Sequence, residues 1–344
     1  MSFSEISLAS VAVLHAIYAL ASQHLSDLEQ ALYHKSRALS AIRASIAQDQ
    51  SSKSLLQCIV AALCLLLCET IATPYIPQDW TTFFCVAQTA FPIVYSTDQS
   101  YKGDLALILD WMYYFNVHSR FSIRHFSRRR DDMLRCASDK LVHNVELNSL
   151  YNAQQITPTL GCSREVMMAI SGVIHVVQEA ELDVDNTYTA YTDKLDKLER
   201  RLKFAQQDLG PSDTDPQASR IAELYVLAAR IYVHRVGRQA PTTNPILQGL
   251  VDDAFSILES LDTCERTFPL FIVSCEARTD LRKMTIFRIL NATQAKFAAA
   301  NVLRVRSFIE RFWAQQDLDV EQEIDHATQM TAALSANGLL PIFA

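Results

Sequence analysis

The sequence predicts an all-α protein: one large multi-helix bundle or irregular helical array of a dozen or more helices. Three observations predict it. Apolar residues recur at three- and four-residue spacing along most of the chain, the signature of one buried helical face. No segment alternates apolar and polar residues as a half-buried strand does. Only seven glycines occur in 344 residues, well below the usual ~7%, and tight hairpins and phosphate loops need glycine at positive φ. No linker forces a boundary, so residues 1–344 are expected to form a single domain.

The elements follow in order. ISLASVAVLHAIYALASQHL is long, apolar and nearly free of helix breakers. Leu28, Leu32, Leu39, Ile42 and Ile46 mark a second helix. Ser51–Ser54 caps a cysteine-rich third, which Pro74 and Pro77 end. Helices are expected near Thr81–Tyr95 and Asp104–Phe121, followed by a poorly patterned region to about Pro158. Val166, Ile170, Val173 and Val177 define the helix of Glu165–Glu181. Tyr188, Tyr191, Leu195, Leu198, Leu202, Ala205 and Leu209 then hold a 3-4 repeat, which wants either an antiparallel neighbour in the same chain or a dimer seam. Ile221, Leu224, Tyr225, Ala228, Ile231 and Tyr232 mark the next helix. The remaining helices are placed near Pro245–Leu261, Pro269–Arg278, Leu281–Ala299, Val302–Gln315 and Val320–Ser335.

Composition narrows the function. Hydrophobic residues make up 49% and charged residues 20%, as in a folded globular protein. A formal net charge of −7 repels a phosphate backbone, so direct nucleic-acid contact is not expected. RFSIRHFSRRR, Arg120–Arg130, is the basic exception and reads as a solvated loop or helix start, with an anion contact or import signal as the alternative. The most apolar run, Cys58–Cys68, covers eleven residues, whereas a bilayer span takes about 20. It reads as a buried helix, and no membrane span is expected. The cysteines 58, 64, 68, 85, 136, 162, 264 and 275 form no CxxC pair and sit mostly in apolar helical patterns, which fits free thiols in a reducing compartment.

Chemistry-bearing patterns are few. Cys64 and Cys68 share a helical face, yet no histidine or carboxylate completes a tetrahedral set. His143 and Glu146 form a lone pair of ligand types, and His15, His24 and His34 do not share a helical phase. GxGxxG, GxxxxGK[ST] and GxSxG motifs are all missing. Asp131–Asp132 and Asp252–Asp253 lack the carboxylate three residues on that would complete a magnesium face. Cys275–Glu276, inside PLFIVSCEARTDLRKMTIF, is the one nucleophile-like pair. Its apolar setting and adjacent carboxylate disfavour a thiolate, so it reads as packing. No catalytic, cofactor-binding or metal-ligating residues are assigned, and no cofactor is expected.

PLFIVSCEA, then Arg282, Asn301–Val302 and IERFW at Ile309–Trp313, resemble the closing portion of the fungal-specific transcription factor domain. This is the helical regulatory region that follows a six-cysteine zinc cluster in many fungal regulators. ALYHKSRALSAIR at Ala31–Arg43, the Leu55–Glu69 helix with Trp80, LDWMYYFNVHSRFS at Leu109–Ser122 and GCSREVMMAISGVIHVV at Gly161–Val177 resemble its earlier parts, in the same order.

The resemblance implies a structural role for Cys275, packed inward, and for Glu276, capping a helix or paired with an arginine such as Arg282. It implies nuclear residence and a regulatory domain sensing an effector, with a small apolar molecule as the analogous ligand. A homodimer, or a heterodimer with a full-length zinc-cluster regulator through the Tyr188–Leu209 stripe, is the expected kind of partner. The cluster itself is not in this sequence, whose first cysteine, Cys58, already lies in a core helix. The alternative is a stand-alone relative recruited as a secondary-metabolite enzyme, cyclase- or isomerase-like, using an apolar helical pocket.

Overall fold

A computed structural model describes residues 7–71, 80–97, 103–126, 153–182, 188–210, 216–297, 300–318, 325–336 and 340–343. Thirteen α-helices and no strand occur among them; the only β pairing is two isolated bridges, Gln155 with Asp208 and Ile156 with Ser163. His143, Glu146, Asp131, Asp132, Cys136 and Arg128–Arg130 lie outside the described residues. The contacts group into two compact units, Met1–Phe115 with Asp131–Ser149, and Asn116–Arg130 with Leu150–Ala344.

The first unit holds α1 (Leu8–His24), α2 (Leu28–Gln48), α3 (Ser52–Ile71), α4 (Trp80–Thr97) and the beginning of α5 (Gly103–Arg124). Capping side chains define the early boundaries. Ser7 Oγ accepts from Ser10 N at 3.1 Å, Asp27 Oδ1 from Gln30 N at 3.1 Å, and Ser51 Oγ from Ser54 N at 3.4 Å, each satisfying a backbone donor that a helix start leaves free. Helix α3 starts at the expected cap and ends ahead of Pro74, and it extends well beyond the apolar run Cys58–Cys68. At 20 residues and mean hydropathy 2.1 it is long and apolar enough to cross a membrane, but 72% of its apolar window is buried within the fold. Glu69, in its last turn, is buried against the Lys35 ammonium. Cys58, Cys64 and Cys68 are core filling, and burial pushes the Cys68 thiol up to about 12.

The second unit contains the end of α5, then α6 (Arg164–Leu182), α7 (Tyr188–Phe204), α8 (Ala218–Tyr232), α9 (Pro245–Ser260), α10 (Thr267–Ser274), α11 (Asp280–Phe297), α12 (Ala300–Leu318) and α13 (His326–Ser335). Phe121 is fully buried at its centre, with ring centroids of Phe268, Phe343 and Tyr232 at 5.1, 5.2 and 5.6 Å. These are edge-to-face contacts, the arrangement that aromatic quadrupoles favour. Helix α9 starts where sequence places it: Asn244 Oδ1 accepts from Ile246 N and Leu247 N at 3.0 and 3.1 Å, and Pro245 occupies the first turn.

The Tyr188–Leu209 repeat is shorter than its spacing suggests and is satisfied inside the chain. Helix α7 stops at Phe204, and Leu209 beyond it is 45% exposed. Leu195 and Leu202 are fully buried. Glu179 pairs with Lys194 and Glu165 with Arg201, so α6 and α7 run antiparallel. Between those pairs Gly172 lies so close to Leu198 that a Cβ there would meet its Cδ2 at 2.8 Å. The buried edge of α7 is thus occupied by α6 of the same chain.

Candidate functional site

Helix α10 is a short rod, TFPLFIVS, with all eight residues buried. The carbonyls at its C-terminal end run out of helical donors, and turn bonds cover part of the need: Glu276 N donates to Val273 O at 3.0 Å and Ala277 N to Ser274 O at 3.1 Å. Helix α12 adds side-chain donors: Trp313 Nε1 donates to Ser274 O at 2.8 Å and Gln316 Nε2 to Cys275 O at 3.1 Å. Cys275 is 1% exposed. Burial, and then the neighbouring Glu276 charge, hold its thiol well above the ordinary cysteine range. A thiolate is unfavourable there, so Cys275 is a packing residue.

Glu276 pairs with an arginine, as the resemblance implies, but with Arg235 rather than Arg282. Its carboxylate accepts from Nε of Arg235 at 2.9 Å. Arg282 instead pairs with Asp252 and lies over the Phe255 ring at 4.8 Å. Arg235 spreads its guanidinium further, donating from Nη1 to Ala240 O at 2.7 Å and from Nη2 to His326 Nδ1 at 3.0 Å. A guanidinium has only donors, so His326 Nδ1 must accept and the ring proton sits on Nε2. That nitrogen lies 3.6 Å from Glu276 Oε1. Burial foremost, then the charge of Arg235, pushes the His326 pKa well below the ordinary imidazole value. The triangle is thus arginine, carboxylate and neutral imidazole, all buried.

A π turn, Val233–Gly237, continues α8 and aims Arg235 inward. Arg238 N reaches Val233 O at 2.9 Å, five residues back. Such a turn inserts one residue into a helix, and its five residues here are all buried. Its two neighbouring basic groups face the other way, onto α7. His234 Nε2 donates to Glu199 Oε1 at 2.9 Å, while Arg238 pairs with Glu199 at 2.5 Å and with Asp196 at 2.6 Å. The His234 hydrogen bond is the largest cause holding the Glu199 carboxyl down to about 2. Tyr191 Oη donates to Gly237 O at 2.7 Å.

A cleft of about 430 Å³ opens over this turn, within the ~300–1,000 Å³ range of small-molecule sites. Val236, Gly237, Arg238 and Gln239 of the turn line it, together with Arg124, Val177, Tyr191, Thr192, Asp325 and Ala327. Gln239 holds φ at +52°, and Asp325 caps α13 by accepting from Thr328 N at 3.0 Å. The lining mixes apolar walls with charged and amide groups. Among the described residues no group of three or more His, Cys, Asp or Glu side chains is arranged to hold a metal ion.

The model of the fungal-specific transcription factor domain matches residues 2–335. The chain belongs to that family. It is also similar to transcription factor iacI of Pestalotiopsis fici, at 24% identity over 97% of this chain and 84% of that protein. No solved structure matches. In this member of the fungal-specific transcription factor domain family, the segments that carried the resemblance converge: PLFIVSCEA is α10 with its capped end, and IERFW delivers Trp313 to it. GCSREV opens α6, where Gly161 holds φ at +73° and a Cβ would meet Arg266 Nε at 2.8 Å. Arg266 in turn donates to Thr159 O at 3.2 Å. The sequence alone did not single out Arg235, His326 or the π turn; the cluster of basic residues in RIYVHRVGR was the available signal.

Proposed function

We propose that the chain is the effector-sensing regulatory domain of a nuclear fungal transcription regulator and acts in transcriptional control without reading DNA through its own residues. Membership of the family and the likeness to a transcription factor support the regulatory role. One observation carries the sensing role: the wall of the cleft is the same π turn that holds Arg235 against Glu276 and His326. A molecule seated in the cleft shifts that turn's backbone and so the packing of α8, α10 and α13. Val177, Val236, Ala327 and the Tyr191 ring suit an apolar body, while Arg124, Gln239 and Asp325 suit a polar end. The effector is therefore an amphipathic small molecule rather than a wholly apolar one.

Native mass spectrometry of the chain purified from its own host tests this. The unmodified protein is expected to carry a bound small molecule. Ala327→Trp, which fills the cleft, is expected to lose it while keeping its melting temperature. A chain that carries the same molecule with and without the tryptophan places the ligand elsewhere.

A further inference from the structure

Helix α1 is built inside out. Its buried residues are Ala9, Ala12, Ala16 and Ala19, a stripe of small side chains at helical spacing. Its large residues point to water: Leu14, Ile17 and Tyr18 are 46%, 48% and 47% exposed. Leu14, Ile17, Tyr18, Ala21 and Leu25 follow the three-and-four spacing that normally marks the face a helix buries. At the following turn Leu25 is 77% exposed, and on α2 Leu32 and Tyr33 are 51% and 55% exposed. The two helices share one surface, because His34 of α2 lies between the Tyr18 and Tyr33 rings at 5.2 and 5.1 Å.

Size and charge say what covers this face. The six large side chains leave roughly 500 Å² in water, at about 150–250 Å² for each tyrosine fully exposed and less for each leucine or isoleucine. The largest patch on a typical monomer is about 300–600 Å², and a stable interface buries about 800 Å² per partner. A face this large therefore approaches one side of an interface. From Leu8 to His24 there is no Asp, Glu, Lys or Arg. A two-fold axis brings each face against its own copy, where fixed charges of one sign would repel; α1 has none to repel. On α2 the exposed charges are Glu29, Arg37 and Arg43, and Glu29 and Arg37 stand four residues to either side of Tyr33. An antiparallel mate centred on Tyr33 sets Glu29 against Arg37.

We propose that two copies of this chain associate through the outward face of the α1–α2 hairpin. The contact lies in the first unit and does not depend on the cleft reading. Sedimentation velocity on the purified chain is expected to show a monomer–dimer equilibrium in the micromolar range. Ile17→Glu and Tyr33→Glu, both at half-exposed positions, are expected to raise the dimer dissociation constant at least about tenfold, with far-UV circular dichroism and melting temperature unchanged. Should either variant unfold, hydrogen exchange on the unmodified chain decides: protection of α1 and α2 must rise with protein concentration. A chain that stays monomeric throughout overturns the proposal and assigns the face to a different protein. So does a folded Ile17→Glu/Tyr33→Glu chain that dimerises as tightly as the original, or α1 protection that ignores concentration.

Discussion

Arg235 donates from Nε to Glu276 Oε1 across 2.9 Å, and the two residues are 9% and 4% exposed. Each charge has left water and depends on the other. Removing one partner of such a pair costs about 3–5 kcal/mol, because the survivor stays buried and uncompensated. Arg235→Met and Glu276→Leu are each expected to lose about that much stability in urea denaturation. The double variant is expected to lose less than the sum of the two, since an apolar pair leaves no orphaned charge. Additive losses would mean that the two residues do not share one interaction.

His326 gives this region a pH dependence of defined sign. In the fold its pKa lies well below 6.5, so the imidazole stays neutral while the unfolded chain takes up a proton near pH 6.5. The unfolded state then binds more protons, and stability present above pH 6.5 falls as the pH drops, by up to ~1.4 kcal/mol per pH unit. Glu276 works in the opposite direction. Burial raises its pKa above 4.5, so its contribution is present below pH 4.5 and fades as the pH rises. Comparing the original chain with His326→Asn separates the two. Between pH 6.5 and 5 the variant is expected to show a shallower loss of stability in chemical denaturation.

Thiol labelling addresses Cys275 directly. Burial raises its pKa well above 9.0, and that of Cys264 to about 12. Among the described cysteines only Cys85 is partly exposed. A disulfide reagent at pH 8 is expected to modify Cys85 in the native protein and to reach Cys275 and Cys264 only on unfolding. Fast native labelling of Cys275, read by peptide mass spectrometry, would revive a nucleophilic role for it.

Much of the fold was legible because its signals are local. Asn244–Pro245 announces the start of α9 through capping geometry, and apolar spacing places α6 and the core of α7. The burial of Cys275 followed from its apolar flanks. The candidate site was hidden because its partners are distant in sequence: Glu276 is 41 residues from Arg235, and His326 is 91. A π turn carries no residue pattern of its own, so the chain around Arg235 reads as an ordinary helix end. The outward face of α1 was hidden for another reason. In an alanine-rich helix, spacing alone does not say whether the small or the large stripe faces the core, and here the alanines do.

Transcript profiling of the host carrying Ala327→Trp at the native locus tests the central claim most directly. The account predicts that a defined gene set loses its response to growth conditions while the protein remains abundant and folded. An unchanged transcript profile, together with turnover of a metabolite by the purified chain that the same tryptophan abolishes, would contradict it.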